Sequence, residues 1–305
     1  MRDYLSVDDL DADELIQIID LADRLKADRS LHAAALTGKT VALIFEKSST
    51  RTRVSFEVGV GQLGGSPLTL SSTDLQLGRG ETIEDTGKVL SRYVDAIVLR
   101  TFEQERLEVL AAAASVPVVN SLSDFEHPCQ ALADLQTIRE HRGALAGTVL
   151  TYVGDGNNVA HSLLLAGAKA GMTVRVAAPV GFEPIPQVVD RATDIAATTG
   201  GAIEVGTDPI AAATGAHVLY TDVWASMGQE AEAEERALVF HPFQLNQNLI
   251  DVADAEVLVM HCLPAHRGEE IADVAIDGPH AVVFDQAENR LHTQKALLVF
   301  LFDLA

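Results

Sequence analysis

Short apolar runs alternate with amphipathic stretches along most of the chain, and this alternation limits the possible folds more than any other feature. In the first half, residues 41–45, 68–71, 96–99 and 116–119 read as strands. In the second half, residues 149–153, 174–177, 202–205, 218–220, 257–260 and 281–284 do so. Helical periodicity fills most of the gaps, as at 51–63, 82–91, 103–114, 130–141, 159–169 and 186–199. Strands that are apolar on both faces and separated by helices predict an α/β fold of parallel sheets flanked by helices. The 305 residues exceed what one such core needs, so two domains are expected. A helix stops near His141-Arg142-Gly143, which puts the boundary there: residues 1–143, then 144–290. The apolar tail 291–305 needs a surface to cover and is expected to pack back on the first domain.

Charge narrows the partners. Forty-four acids face twenty-two bases, a net charge of −22. Such a surface argues against nucleic acid and anionic membranes. The acidic runs at 8–14 and 230–235 read as solvated surface, and the bases are sixteen arginines to six lysines. Acid-rich, lysine-poor surfaces resemble those of extreme halophiles. Cys129 and Cys262 are the only cysteines, too few for a disulfide framework or a Cys-rich zinc site, so a reducing cytoplasm is expected. Met1-Arg2-Asp3-Tyr4 carries no basic end followed by an apolar stretch, so no signal peptide is expected, and no apolar run reaches the ~18 residues of a membrane span. The histidines show no metal-ligand spacing, so neither a metal nor another cofactor is expected.

Polar clusters follow the strands. Ser49-Thr50-Arg51-Thr52-Arg53 lies on a strand-to-helix turn. Free backbone N–H groups and the positive helix end favour an anion there, and hydroxyls with guanidiniums suit a phosphate. A simple N-cap accounts for one hydroxyl but not for Arg51 and Arg53 together. Arg100 ends another strand, where ligands of open α/β sheets sit. His127-Pro128-Cys129-Gln130 opens a helix, with Pro128 suited to the first position. His127 and Gln130 can hydrogen-bond a carbonyl oxygen or an amide nitrogen.

In the second half, Gly154-Asp155-Gly156-Asn157-Asn158 follows a strand like a dinucleotide fingerprint. Val159 replaces the third glycine and no ribose-binding acid ends the next strand, so NAD is rejected. Asn158 could hold a carboxylate, and Asp222 suits an ammonium group. Ser226 and Met227 precede Gly228 on a loop able to close over a ligand. Cys262 stands at a strand tip, as a nucleophile or as packing.

Taken in order, Ser49-Thr50-Arg51-Thr52-Arg53, His127-Pro128-Cys129-Gln130, Gly154-Asp155-Gly156-Asn157-Asn158, Asp222-Val223-Trp224-Ala225-Ser226-Met227-Gly228, His261-Cys262-Leu263-Pro264 and Glu288-Asn289-Arg290 resemble the aspartate/ornithine carbamoyltransferase family, its ornithine branch most closely. The resemblance spans essentially the whole chain. It implies transfer of a carbamoyl group from carbamoyl phosphate to the δ-amino group of L-ornithine, in arginine synthesis or breakdown. It implies that Ser49, Thr50, Arg51 and Thr52 bind the phosphate. Arg100, His127 and Gln130 are implied to hold and polarise the carbamoyl group, with Pro128, Cys129 and Arg290 also at carbamoyl phosphate. Asn158, Asp222, Ser226 and Met227 are implied to bind ornithine, with Cys262 and Leu263 beside the reacting amine and near carbamoyl phosphate. Gln76 matches a residue the family reaches across from a neighbouring subunit, and the family is usually trimeric or built from trimers, which implies a homotrimer or a multiple of it here. Carbamoyl transfer to another amine such as putrescine, and a non-catalytic carbamoyl-phosphate-binding subunit, are the competing readings.

Overall fold

The protein is seen in a computed structural model that describes residues 2–71, 80–225 and 233–304. It divides into two compact units, residues 1–133 with 288–305, and residues 134–287.

The first unit begins with a turn of 3-10 helix and α1 (Ala12–Ala27). It continues through β1 (Thr40–Phe45), α2 (Arg51–Gln62), β2 (Ser66–Ser71), α3 (Ile83–Leu90), β3 (Ala96–Arg100), α4 (Gln104–Ala113), β4 (Val118–Leu122) and the start of α5 (Pro128–Arg142). The four strands are parallel, in the order β2-β1-β3-β4. β3 and β4 are buried along their full length, as expected where helices cover both faces. β2 forms the exposed edge and carries Pro67, which an edge tolerates because a ladder donor is missing there. Ala42, Ile44, Ile97 and Leu99 pack with Leu107 and Leu110 of α4 in one core cluster. The N-terminal acidic run is more than solvated surface: Asp11 and Glu14 form a capping box that starts α1, and Ser6 with Asp9 forms another just before it.

The second unit contains β5 (Val149–Val153), α6 (Asn158–Lys169), β6 (Thr173–Ala177), α7 (Pro186–Thr199), β7 (Ala202–Gly206) and α8 (Pro209–Ala213). It goes on with β8 (Val218–Thr221), α9 (Ala233–Phe240), α10 (Gln247–Val252), β9 (Leu258–His261) and α11 (Asp273–Ile276). Its sheet is again parallel, ordered β7-β6-β5-β8-β9.

The strand expected at 281–284 does not form. Ala281 makes a single bridge to Val259, and a helix, α12 (Val283–Leu301), then begins. Val283 enters the core while Phe284 is exposed, so the run has no sheet face to bury. Four apolar residues do not separate strand from helix, and here the longer helical pattern takes them. The C-terminal part of α12 packs on the first unit, as expected. Lys295 donates to Gln62 Oε1 at 3.1 Å, and Lys26 donates to Asn289 Oδ1 at 2.8 Å. A Cβ on Gly59 of α2 would lie 3.2 Å from the Lys295 side chain, so a glycine lets the two helices approach. Among the described residues no helix is long and apolar enough to cross a membrane.

Candidate active site

Both sheets carry their polar loops at a change of strand order. In the first unit, β1 lies between β2 and β3, so the connections leaving β1 and β3 diverge and leave a crevice at the strand ends. The loop after β1 delivers Ser49 and Thr50 to the start of α2, where Arg51 is the first helical residue. The Thr50 side chain does not cap the helix, so capping does not account for its hydroxyl. A cavity of about 380 Å³ opens here, lined by Lys47, Ser49, Thr50, Arg53, Thr69 and Ser71 among others. Arg53, though it lines this cavity, donates to Glu57 one turn on at 3.0 Å.

Behind the loop is a buried polar cluster. Arg290 of α12 donates through Nη1 to Gln130 Oε1 at 2.5 Å and through Nη2 to Thr52 Oγ1 at 2.9 Å. Arg100, His127, Gln130 and Arg290 are all buried. Burial, and then the guanidiniums of Arg290, Arg100 and Arg51, hold the His127 imidazole well below its ordinary range. His127 is therefore neutral at physiological pH, a hydrogen-bonding group beside a concentration of positive charge. Pro128 takes the first position of α5, and the Cys129 thiol turns inward, donating to the Asn120 carbonyl at 3.4 Å. Burial pushes that thiol up to about 12, which keeps it protonated.

The loop is braced by residues that sequence reasoning did not single out. Buried Lys47 pairs with Asp124 and lies 4.2 Å from the Phe102 ring centroid. Glu46 accepts from Arg106 Nη2 at 2.5 Å and from the Thr101 hydroxyl, and its backbone N–H donates to the Arg100 carbonyl. The loops after β1 and β3 are thus tied together. Strand periodicity locates such loops but cannot show which of their charges will pair.

In the second unit the corresponding crevice lies between β5 and β8. Asn157 Nδ2, after β5, donates to Asp222 Oδ2, after β8, at 2.9 Å. The Cys262 thiol, after β9, donates to Asp222 Oδ1 at 2.9 Å. Asp222 is 6% exposed, so three strand ends meet on one buried carboxylate. Asn158, expected here, is the first residue of α6. The bridging residue is its neighbour Asn157, whose Oδ1 also caps the helix by accepting from Val159 and Ala160. Asparagine directly before a helix was the available signal. Gly156 is required for steric reasons, since a Cβ there would lie 2.2 Å from Pro184 N. Asp155 accepts from Arg236 at 2.7 Å, and Arg236 also donates to the Trp224 carbonyl at 2.9 Å.

Asp222, His261 and Cys262 bring metal-ligand atoms within 4.8 Å of one another. The imidazole is nevertheless committed. The Leu263 backbone N–H donates to His261 Nδ1 at 2.8 Å, and His261 Nε2 faces Glu270 Oε1 at 3.2 Å. Leu263 itself stands at φ 59°, the left-handed region that costs a branched residue roughly 1–2 kcal/mol. Gln76, Ser226 and Met227 lie outside the described residues, as do Gly228 and most of the second acidic run.

Residues 2–140 match the family model described as the carbamoyl-P binding domain of aspartate/ornithine carbamoyltransferase. Residues 146–301 match its Asp/Orn binding domain. An ornithine carbamoyltransferase of Parafrankia sp. is 62% identical over 305 residues, covering 99% of this chain and 96% of the relative. One from Thermococcus kodakarensis is 57% identical, covering 97% and 95%. The solved ornithine carbamoyltransferase of Pyrococcus furiosus superposes with a TM-score of 0.95 at 55% identity, over 98% of this chain and 96% of that one. The anabolic enzyme of Campylobacter jejuni gives 0.94 at 36% identity over the full length of both chains. With its two domain models in order, and an arginine-rich crevice in one unit and a buried carboxylate in the other, the chain belongs to the aspartate/ornithine carbamoyltransferase family.

Proposed function

We propose that the protein transfers the carbamoyl group of carbamoyl phosphate to the δ-amino group of L-ornithine, releasing L-citrulline and phosphate. The observation that carries this is the buried cluster of Arg100, Arg290 and neutral His127 behind the Ser49–Arg51 turn. A dianionic leaving group needs fixed positive charge, and a carbonyl oxygen gaining charge needs neutral or cationic donors. Arg51, with Ser49, Thr50 and Thr52, serves the phosphate end. Arg100, His127 and Gln130 serve the carbamoyl group. Pro128, Cys129 and Arg290 complete that shell, with Arg290 locking Gln130 and Thr52 in place.

The acceptor side is assigned to the second unit. Asp222 suits the α-ammonium group, and Asn158, Ser226 and Met227 complete the amino-acid site. Cys262 and Leu263 stand beside the δ-amine. That amine, with an aqueous pKa of about 10.4, must lose a proton before its lone pair attacks the carbamoyl carbon. Desolvation favours the neutral amine. The nitrogen–carbon bond then forms, the carbon–oxygen bond to phosphate breaks, and the second amine proton leaves with solvent or phosphate.

The unit of residues 1–133 with 288–305, which holds Arg290, is assigned to carbamoyl phosphate and the unit of residues 134–287 to ornithine. The assembly is a homotrimer or a multiple of it, with Gln76 supplied across the subunit boundary, and the setting is a cytoplasm. The net charge of −22 supports adaptation to high salt. A panel of acceptors tests the substrate: ornithine, putrescine and aspartate are each incubated with carbamoyl phosphate and assayed for ureido product. Product from ornithine alone is expected. Preference for putrescine overturns the assignment.

A further inference from the structure

The buried face of the Cys262–Leu263 turn carries a relay that the reaction scheme above leaves unused. A backbone N–H can only donate, so the bond from Leu263 to His261 Nδ1 leaves that nitrogen without a proton. The ring proton of neutral His261 is then on Nε2, which donates to Glu270 Oε1 at 3.2 Å. Glu270 Oε1 also accepts the His266 backbone N–H at 2.5 Å. His261 and Glu270 are both 0% exposed, so water does not substitute for either partner.

Both ends of this chain are fixed. The Glu270 carbonyl accepts from Leu245 N–H at 2.9 Å, and neighbouring Ile271 sits in the core of the second unit. The His261 backbone N–H donates to Gln286 Oε1 at 3.0 Å. At the far end, Leu263 holds φ 59°, a conformation the residue does not choose for itself, and Cys262 is bonded to Asp222. We infer that Glu270 is a positioning residue for carbamoyl transfer: through His261 it fixes the tautomer that clamps the Leu263 backbone and so aims Cys262 and Leu263 at the reacting amine. The inference rests on the function proposed above.

The test combines kinetics with the state of the imidazole. In E270A the acceptor is lost and the ring can carry its proton on Nδ1, where it opposes the Leu263 N–H. Turnover of ornithine should fall about 10²-fold, the scale of a displacement near 1 Å at a reacting centre. Carbamoyl phosphate, gripped in the first unit, should keep its affinity in an equilibrium titration. E270Q keeps an acceptor oxygen and should recover most of the loss. Nitrogen-15 NMR of labelled histidines should show Nε2–H for His261 in the parent and E270Q, and mixed tautomers in E270A. If E270A does not fold, H261N and H261Q separate the two bonds. Asparagine can still accept from Leu263, while glutamine can still reach only Glu270, so H261N should be the more active. Unchanged turnover in E270A, a pyridine-type Nε2 in the parent, or H261Q outperforming H261N overturns the relay. The NMR arm needs no turnover, so it decides the relay even if the parent forms no citrulline and the proposed function fails.

Discussion

Arg290 Nη1 donates to Gln130 Oε1 at 2.5 Å, joining the C-terminal helix to the helix that begins at Pro128. The second arm of the same guanidinium reaches Thr52 at 2.9 Å. One planar fork therefore sets two donors of the proposed carbamoyl phosphate site. Lysine keeps the charge but not the fork. R290K should raise the KM for carbamoyl phosphate at least about tenfold and lower kcat, and steady-state kinetics at saturating ornithine checks this. Parent-like constants in R290K would show that charge alone suffices.

Arg51 opens α2 and faces the leaving phosphate in the proposed scheme. R51A should cost roughly 10²–10³ in kcat/KM for carbamoyl phosphate, the scale of losing one preorganised donor to developing charge. Its thermal midpoint should stay near that of the parent, because Arg51 is only half-buried. Calorimetry alongside kinetics separates loss of function from loss of fold.

Asp222 accepts from Asn157 and Cys262, both at 2.9 Å. D222N keeps the shape but removes the charge and places an amide donor beside existing donors. It should raise the KM for ornithine by about 10²-fold and leave binding of carbamoyl phosphate alone unchanged. Isothermal titration of each substrate gives the answer.

His127 makes a pH prediction with a definite sign. Its folded value is depressed below the ordinary 6.5 by burial and by Arg290, Arg100 and Arg51. Below pH 6.5 the unfolded chain binds a proton that the folded chain refuses, so stability is full above that value and falls as the pH drops beneath it. The loss is at most about 1.4 kcal/mol per pH unit for this one group. Denaturant melts between pH 7 and 5 should show a shallower acid loss in H127N than in the parent. Some loss should persist, because burial also lowers His292.

Much of this was legible in the sequence. Among the described residues, the strand runs located eight of nine strands to within about two residues, since parallel strands buried on both faces leave a plain apolar signature. The run at 281–284 failed because four apolar residues serve helix and strand equally. The Ser49–Arg51 turn stood out from its place between strand and helix, whereas Arg100, His127 and Gln130 entered the candidate site through the family resemblance, because a strand-end arginine or a Pro-started helix is common without a ligand. Asn157 was not, because two adjacent asparagines differ only in which one caps α6. Glu270 was hidden as well: its partner His261 lies nine residues away, and only the turn through Pro264 brings them together.

The central claim is that one chain carries both halves of a carbamoyl transfer. It is tested most directly by incubating the purified protein with carbon-13 carbamoyl phosphate and L-ornithine in high salt, and following products by mass spectrometry and phosphate assay. Citrulline labelled at the ureido carbon, formed one for one with phosphate, is expected. Phosphate released without labelled citrulline would contradict it.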